Sequence, residues 1–347
     1  MTVYRIDPLY DPGWQQFTAI HPLATVFHST AWLNALKQTY GFEAFALTTS
    51  PPSAAIESGF VFCRVSSWLT GRRLVSLPFS DHCDLLTSSP DHQIQLLSAL
   101  IEHCKEAGVK YAELRPVNSV PTSEENFKKT KEFVLHTLDL RPSIEDLFRS
   151  FHKDSVQRKI RRAEREGLSL DEGRSERLLQ AFFRLLLITR RRHGLPPPPR
   201  TWFRNLIDSF GDQLIIRVAN KDGNPIAAVL TLRFRDTLVY KYGASDITFH
   251  ALGGMHALLW TAIKAAKNQG LRQVDLGRSD IEDQGLITFK DRWGTARSTI
   301  NYFRYPFKLS GVSSSTAWAG RSGRRLFEWM PNAILSTAGK LLYRHVG

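Results

Sequence analysis

The sequence predicts a mixed α/β protein, with mixed sheets, made of two similar domains. Its 347 residues exceed the usual size of a single domain. Helix and strand patterns follow the same order in both halves: a helix, three strands, a helix and a strand. Residues 106–114 (EAGVKYAEL) also match residues 268–276 (NQGLRQVDL), which places a helix–glycine–strand junction in each half. We therefore expect a duplicated architecture.

The second half has the clearer pattern of elements. We expect Asp154 to cap a helix that Gly167 ends, and a second helix from about Ser175 to Arg192. The proline run at 196–199 excludes a helix there. The expected elements that follow are a helix at 201–210, strands at 213–219, 225–235 and 237–243 with a turn at 221–224, a helix at 252–268, a strand at 271–276, a helix or turn at 285–291 and a strand at 298–305.

The first half repeats this scheme. The expected elements are a helix at 30–40, strands at 44–49, 59–65 and 73–76, a helix at 91–107 and strands at 109–115 and 133–140. We therefore predict a first domain at 1–142, a second domain at 143–312 and a C-terminal tail at 313–347.

The tail is basic and amphipathic. It interleaves arginine and lysine with large apolar side chains, which is typical of a helix lying on an apolar surface. Packing on the protein itself and contact with a membrane both remain open. The basic residues are Arg321, Arg324, Arg325, Lys340 and Arg344.

Composition limits the cellular setting. A net charge of +13 favours a polyanionic partner, such as a nucleic acid, an anionic membrane face or a phosphorylated substrate. No apolar run is long enough to span a bilayer, and no secretory signal is evident at the start. Cys63, Cys83 and Cys104 lack metal-ligand spacing. We expect a cytoplasmic protein without a metal site.

One short string suggests thiol chemistry. Residues 81–84 read Asp-His-Cys-Asp, which places His82 beside Cys83. Adjacent side chains on a loop rarely face each other, so we do not expect these two residues to form a catalytic pair.

Several strings, taken in order, resemble a known family. They are GRRLVSLPFSD at 71–81, KIRRAEREG at 159–167, RHGLP at 192–196, YKYGAS at 240–245, DLGRS at 275–279 and GLITFK at 285–290 before Trp293-Gly294. The set resembles the Fem-type branch of the acetyltransferase (GNAT) superfamily, especially members found beside exopolysaccharide and exosortase systems. The resemblance runs from about residue 32 to residue 305.

The resemblance implies two GNAT-like acyltransferase domains with the active cleft mostly in the second, and no bound cofactor. It implies an N-acyltransferase that moves an aminoacyl group from aminoacyl-tRNA to an amine of a peptidoglycan or exopolysaccharide precursor. That precursor is nucleotide- or lipid-linked, at the inner membrane face. Two alternatives stay open: an acyl-CoA-dependent enzyme acting on an amino sugar or peptide, and a non-catalytic protein that binds polyanions or membranes. The oligomeric state is open.

The resemblance also marks residues near the reacting acyl group. Lys290, which follows Phe289, is expected to stabilise the carbonyl oxyanion, although a surface lysine anchored by Phe289 would give the same pattern. Asp275 ends a strand where α/β clefts open, and would act as a base or orient the amine, or else pair with Arg278 or cap residues 277–279. The substrate-binding set is Phe289, Tyr240, Tyr242, Ser245, Arg278 and Trp293. Strand alternation places Tyr240 and Tyr242 on one face.

The acyl donor is expected to meet two further features. Gly253 and Gly254 open a helix whose backbone N–H groups suit a pyrophosphate, but His250 and Met255 depart from the family's coenzyme A pattern, which weakens that reading. A basic helix carries residues that suit phosphates, or that form a solvated face with Glu164 and Glu166. The basic residues are Arg158, Lys159, Arg161, Arg162 and Arg165, with all but Lys159 on one face.

Overall fold

The computed structural model describes residues 2–68, 70–118, 126–306 and 327–346, and it divides into two compact units. The first unit consists mainly of Met1–Phe133, completed by residues from Thr299 onwards and from Tyr343 onwards. The second consists mainly of Val134–Ser298 and includes the C-terminal segment as far as Leu342. Arg321, Arg324 and Arg325 of the expected tail lie outside the described residues.

The helices and strands have the following bounds. The helices are α1 (Pro12–Ile20), α2 (Thr30–Tyr40), α3 (Pro90–Glu106), α4 (Ile144–Ser150), α5 (Arg158–Arg165), α6 (Glu176–Arg192), α7 (Arg200–Phe210), α8 (Gly254–Asn268), α9 (Gln284–Asp291) and α10 (Asn332–Val346). The strands are β1 (Tyr4–Ile6), β2 (Glu43–Thr48), β3 (Gly59–Ser67), β4 (Gly71–Val75), β5 (Ala112–Leu114), β6 (Lys128–Asp139), β7 (Ser169–Gly173), β8 (Leu214–Lys221), β9 (Asn224–Phe234), β10 (Thr237–Ser245), β11 (Gln273–Asp280) and β12 (Ala296–Tyr305).

The first unit is a mixed sheet covered by α3. Strands β1 to β4 are antiparallel neighbours, β4 pairs in parallel with β5, and β12 adds an antiparallel strand through Phe303 and Leu114. Leu96, Leu97 and Leu100 of α3 are buried against the apolar residues of these strands. Their spacing gives one apolar stripe along the helix, and this explains why α3 forms and where it packs.

The second unit has a mixed sheet between two helical layers. Strands β7 to β10 are antiparallel neighbours, and β10 pairs in parallel with β11. Leu258 of α8 packs against Ala219 and Ala227 on one face, while Phe182 of α6 and Phe203 of α7 pack on the other. A parallel pair flanked by antiparallel strands and covered on both faces confirms the predicted mixed α/β class.

Sequence reasoning placed the β8–β9 turn correctly because its chemistry is local. Lys221 pairs with Asn224, so the turn has two central residues, Asp222 and Gly223. Both have positive φ, of 51° and 77°. Such two-residue turns match the twist of the strands they join and favour an aspartate followed by a glycine.

The two units share one helix–strand junction in detail. Helix α3 ends at Gly108 (φ 56°), and Val109 N–H donates to the Cys104 carbonyl at 3.3 Å. Helix α8 ends at Gly270 (φ 77°), and Leu271 N–H donates to the Ala266 carbonyl at 3.0 Å. Both endings are the same glycine-based cap, and each leads into a strand with a parallel neighbour. These equivalences support a duplication.

The expected start of the basic helix was wrong. His152, and not Asp154, caps this segment, because its Nδ1 atom accepts a hydrogen bond from Ser155 N–H at 3.3 Å. A wide π-type turn at Lys153–Gln157 follows, and α5 begins at Arg158. Histidine is rare at helix N-caps and aspartate is common there, so the sequence pattern favours Asp154. The sequence reading also lacked β1, α1, α4 and β7.

The described part of the tail forms α10. Phe327 and Leu335 are buried, whereas Trp329 (88%), Leu341 (65%) and Ile334 (54%) have large exposed fractions. Arg191 of α6 donates to the Met330 carbonyl at 3.0 Å, so the start of this segment packs on the second unit, whereas its last residues, from Tyr343, belong to the first. Among the described residues, no helix is both long enough and apolar enough to cross a membrane.

Candidate functional site

The second unit opens where strands β10 and β11 cease to pair. Their paired residues run from Thr237 and Gln273 to Val239 and Asp275. Strand β10 continues to pair with β9 as far as Ser245. A bulge between Tyr240 and Tyr242 lies at this point, and bulges bend a strand away from its partner. The sheet therefore has a gap beside the start of α8.

A cavity of about 290 Å³ lies at this gap. Its lining combines the beginning of β9, the end of β10 and the turn that follows it, the start of α8, one residue of α5 and one of α9. The lining residues are Lys159, Ile226, Ala227, Ser245, Asp246, Phe249, His250, Gly254, Met255, His256 and Phe289. A mainly apolar cavity with a few polar side chains is typical of a ligand site.

The bulge separates the two tyrosines, so their expected placement on one face was wrong. Tyr240 faces α8, with its hydroxyl 3.9 Å from Met255 Sδ, and burial raises its pKa to about 12. Tyr242 faces α6 and α7, and its hydroxyl accepts a hydrogen bond from Trp202 Nε1 at 2.9 Å. One extra residue in a strand reverses the alternation of side chains, and no local pattern in residues 240–245 indicates the bulge.

Ser245 is held at the cavity wall by bonds on both sides. Its N–H donates to Thr189 Oγ1 at 2.9 Å, and its Oγ lies 2.8 Å from His250 Nε2. Burial and the charge of Arg192 lower the pKa of His250, and the charge of Asp246 opposes this. The structure thus brings Ser245 into the cavity with a histidine that the sequence reading had noted only as a departure from a motif.

His256 is the cavity residue that sequence reasoning missed. It lies in the first turn of α8, its ring stacks on Trp293 with centroids 5.9 Å apart, and it meets the edge of Phe289 at 5.6 Å. Burial, with the nearby Lys159 and His250, lowers its pKa to about 4. The imidazole is therefore neutral at physiological pH. The available signal was a histidine two residues after the glycine pair.

Lys290 and Asp275 meet at a bend in β11 rather than at the protein surface. The Lys290 ammonium donates to the carbonyls of Gly277 at 2.8 Å and Arg278 at 3.0 Å, and the residue is 3% exposed. Asp275 Oδ1 accepts the N–H of Gly277 at 2.6 Å. Gly277 has φ 71°, a conformation that favours glycine. Phe289, the neighbour of Lys290, extends into the cavity lining.

Packing requires the first of the two glycines at the start of α8 and leaves little space at the second. An added Cβ at Gly253 would lie 2.2 Å from the Lys159 carbonyl oxygen, and one at Gly254 would lie 3.2 Å from Ile226 Cδ1. The Lys159 ammonium donates to the carbonyls of His250 (3.3 Å) and Ala251 (3.4 Å). Helix α5 therefore rests directly on the loop that the sequence reading had assigned to a pyrophosphate.

The exposed side of α5 carries four arginines. Arg158 pairs with Asp154 at 3.5 Å, Arg162 pairs with Glu166 at 3.3 Å, and Arg161 lies over the Phe148 ring at 5.4 Å. Exposed ion pairs contribute only about 0–1 kcal/mol, so they leave the arginines free to exchange partners. Arg165 is also exposed, whereas Lys159 is half-buried and faces the cavity.

The thiol near His82 belongs to the interior of the first unit. Cys83 Sγ lies 3.3 Å from Nε2 of His28, and both residues are fully buried. Burial raises the thiol pKa of Cys83 and lowers the pKa of His28 to about 4. Both groups are therefore neutral, and a neutral buried thiol is a poor nucleophile. The described residues contain no cluster of three or more potential metal ligands.

Comparison with known proteins shows what part of the chain is similar to. Residues 150–290 match the family described as acetyltransferase (GNAT) domain. Over 159 residues the chain is 28% identical to the UDP-N-acetylmuramoylpentapeptide-lysine N(6)-alanyltransferase of Weissella viridescens, covering 44% of this chain and 43% of that relative. The chain thus spans less than half the length of this curated relative.

Solved structures show that the likeness of fold extends further. The crystal structure of FemX aligns with a TM-score of 0.68 at 16% identity, covering 87% of this chain and 97% of FemX. A tandem GNAT protein from the clavulanic acid biosynthesis pathway aligns with a TM-score of 0.55 at 11% identity, covering 87% and 97%. Residues 150–290 thus match a GNAT domain, and the chain is similar to a Fem-type alanyltransferase in part of its sequence and to FemX in fold.

Proposed function

We propose that this protein is an N-acyltransferase that transfers an aminoacyl group from aminoacyl-tRNA to an amine of a cell-envelope precursor. The observation that carries the proposal is the cavity of about 290 Å³ at the gap between β10 and β11, within the GNAT-matched residues. In the reaction the amine nitrogen attacks the ester carbonyl. A C–N bond forms, the ester C–O bond breaks, and the amine proton passes to the departing oxygen directly or through water.

Helix α5 supports tRNA as the donor. Its Lys159 carbonyl contacts Gly253 so closely that the loop at the start of α8 is covered on that side. A coenzyme A pyrophosphate needs the N–H groups of such a loop to be accessible. The exposed arginines of α5 suit phosphates of a polynucleotide, whose binding is driven by charge. Helix α5 thus disfavours coenzyme A as the donor and favours tRNA.

We assign the chemical roles as follows. Asp275 fixes the bend at Gly277, and Lys290 holds the two carbonyls that follow. The Lys290 ammonium, on the residue next to the cavity-lining Phe289, is proposed to stabilise developing negative charge through its electric field rather than by a direct bond. Phe289 forms an apolar wall for the acyl group, and the buried Trp293 packs against Phe289 from the core. Ser245 and Arg278 are proposed to bind polar parts of the substrates. Tyr240 is proposed to pack beside the cavity on the α8 side of the sheet, and Tyr242 to support β10 from the opposite face.

The acceptor is proposed from chemistry and from the relative. The named activity of the Weissella relative is alanyl transfer to a lysine of a UDP-linked muramoyl pentapeptide. A phosphate-bearing precursor also fits a chain with net charge +13. We therefore propose a nucleotide- or lipid-linked peptidoglycan or exopolysaccharide precursor with a primary amine, reached from the cytoplasmic side of the membrane.

The donor is tested by calorimetry with the purified full chain. Charged and uncharged tRNA are titrated at two salt concentrations, alongside acetyl-CoA. The proposal expects selective binding of charged tRNA that weakens as salt rises, because phosphate contacts release counterions. Equal affinity for charged and uncharged tRNA, with no transfer to any amine, would contradict it.

A coenzyme A donor is the second candidate, and one observation favours it. The N-terminal residues of α8 line the cavity, so their backbone N–H groups lie beside a ligand space. In this case the acceptor would be an amino sugar or a peptide amine. Micromolar acetyl-CoA binding in the same titration, with no preference for charged tRNA, would establish this candidate and displace the first.

A further inference from the structure

His256 is oriented by its neighbours rather than by hydrogen bonds. Its ring is stacked on Trp293 and meets the edge of Phe289, so two aromatic side chains fix its plane. Within the described part of the chain, neither imidazole nitrogen has a hydrogen-bond partner, although the residue lines the cavity. A polar side chain held rigidly with free nitrogen atoms at a cavity wall is suited to bonding a ligand there.

The surroundings of His256 favour the neutral ring. The groups that face it are Lys159 from α5, His250 from the turn before α8 and the uncharged Phe289 and Trp293. Burial is the largest cause of its lowered pKa, and the two cationic or ionisable neighbours lower it further. The first turn of a helix also disfavours positive charge. A neutral imidazole is a weak proton acceptor here, but it retains one N–H donor.

The Lys290 ammonium is bonded to β11, so a separate hydrogen-bond donor can serve the reacting carbonyl. Its ammonium is directed at the carbonyls of Gly277 and Arg278 in β11, while its neighbour Phe289 reaches the cavity and contacts His256. A group that hydrogen-bonds the reacting carbonyl must lie at the cavity wall, and His256 does. A histidine kept neutral by its surroundings can polarise a carbonyl without adding charge to the site.

We infer that His256 is a catalytic residue that donates a hydrogen bond from its neutral imidazole to the acyl carbonyl oxygen, and to the oxyanion as the amine attacks. The inference rests on the proposed acyltransferase function and deepens it. His256 neither gains nor loses a proton in this step. The amine nitrogen forms the C–N bond, the donor's C–O or C–S bond breaks, and the amine proton leaves with the departing group. Lys290 then supports the site from the side of β11.

The test uses the full chain with hydroxylamine as a surrogate acceptor and alanyl-tRNA or acetyl-CoA as donor. His256→Leu removes the donor, and His256→Gln keeps an N–H donor without a base. We expect His256→Leu to lower kcat by about 10²–10³-fold with KM nearly unchanged, and His256→Gln to recover most of that loss. His103→Leu is the matched control, because His103 is also partly buried with a lowered pKa but contacts Phe45 in the first unit.

A second readout does not depend on turnover. Nitrogen NMR of the histidine side chains, with His256 assigned from the glutamine variant, should show a neutral ring at pH 5.5. One N–H signal should shift when a donor is added. A leucine variant at the wild-type rate, a glutamine variant as slow as the leucine variant, or a charged ring at pH 5.5 would each overturn the inference while leaving the proposed function standing. If the wild-type protein transfers an acyl group from neither donor, the proposed function is overturned. If, in addition, neither donor shifts the His256 N–H signal, the inference about His256 is overturned as well.

Discussion

The two units share a helix–glycine–strand junction, but their strands end differently. In the first unit β4 and β5 stay joined past the strand end, since Ser76 N–H donates to the Glu113 carbonyl at 2.8 Å and Arg115 N–H donates to Ser76 Oγ at 2.9 Å. In the second unit the pairing of β10 and β11 stops at Asp275, and a cavity follows. Glu113 and Asp275 occupy equivalent places in the matching strings.

One residue accounts for much of this difference. Arg115 stands where the second unit has Gly277. Its guanidinium donates to the carbonyls of Leu77 (2.9 Å) and Ser80 (3.2 Å) and to Glu113 (2.8 Å), so a buried side chain seals the strand end. Glycine at the equivalent place leaves space and permits the bend that Lys290 holds. A buried side chain thus closes the strand end in the first unit, whereas the strand end in the second unit borders a cavity.

The largest expected effect comes from removing Glu113, the ion-pair partner of the arginine that closes the strand end in the first unit. Glu113 accepts bonds from Arg115 and from Arg304, both nearby and largely buried. Burial raises the pKa of Glu113, but the two arginine charges outweigh it and hold the pKa at about 2. Glu113→Ala leaves two buried cations unpaired, and should lower the free energy of unfolding by about 3–5 kcal/mol. Urea denaturation measures this.

The control for the seal is an exposed ion pair of the same unit. Glu43 pairs with Arg64 at 3.6 Å, and its side chain is 73% exposed. Glu43→Ala should therefore change stability by less than about 0.5 kcal/mol. Equal losses in the two variants would mean that burial does not distinguish the sealed strand end.

At the open end, the next largest effect should be on catalysis. Lys290→Met keeps the length and apolar stem of the side chain but removes the ammonium. Under the proposed function we expect kcat to fall by about 10²-fold or more, equivalent to about 3 kcal/mol. Single-turnover transfer kinetics measure this. Circular dichroism serves as the control, because loss of the bonds to Gly277 and Arg278 also weakens the bend; a folded variant with unchanged turnover would remove Lys290 from the mechanism.

A smaller stability effect should come from the wall of the cavity. Tyr240 lies over Gly243, and an added Cβ at Gly243 would be 1.8 Å from the tyrosine hydroxyl oxygen. Gly243→Ala should displace this buried ring and destabilise the second unit by up to about 3 kcal/mol. Gly285→Ala is the matched control, since its nearest foreign atom would lie at an ordinary 3.6 Å. Thermal unfolding compares them, and equal melting temperatures would contradict the packing argument.

The sequence predicted features that depend on local chemistry. The helix bounds of α2, α6 and α7, the turn at Asp222 and Gly223 and the two glycine-capped junctions all follow from capping and periodicity. Asp275 and Lys290, which only the family resemblance singled out, both bond the backbone of Gly277, and their chemical roles remain predictions.

Features that depend on distant contacts were not predictable. The bulge that separates Tyr240 from Tyr242 arises from pairing with β9, and nothing in the string YKYGAS reveals it. The need for Gly253 comes from the Lys159 carbonyl, nearly a hundred residues earlier in the chain. His256 becomes a cavity residue only because α9 places Phe289 beside it. Each case is a tertiary contact that leaves no periodic trace in the sequence.

The smallest effect we predict is on the pH dependence of the free energy of unfolding, and it compares one buried histidine in each unit. Burial lowers the pKa of His28 in the first unit and of His256 in the second, each from 6.5 to about 4. Between these values the unfolded chain binds protons that the folded chain excludes, so stability falls as pH drops below about 6.5. From pH 7 to 5 each histidine should remove about 2 kcal/mol. Urea denaturation across this range should show a shallower slope in His28→Gln and in His256→Gln. A ligand that binds the neutral imidazole of His256 should raise the free energy of unfolding without flattening this slope, because folded His256 already excludes the proton in this range.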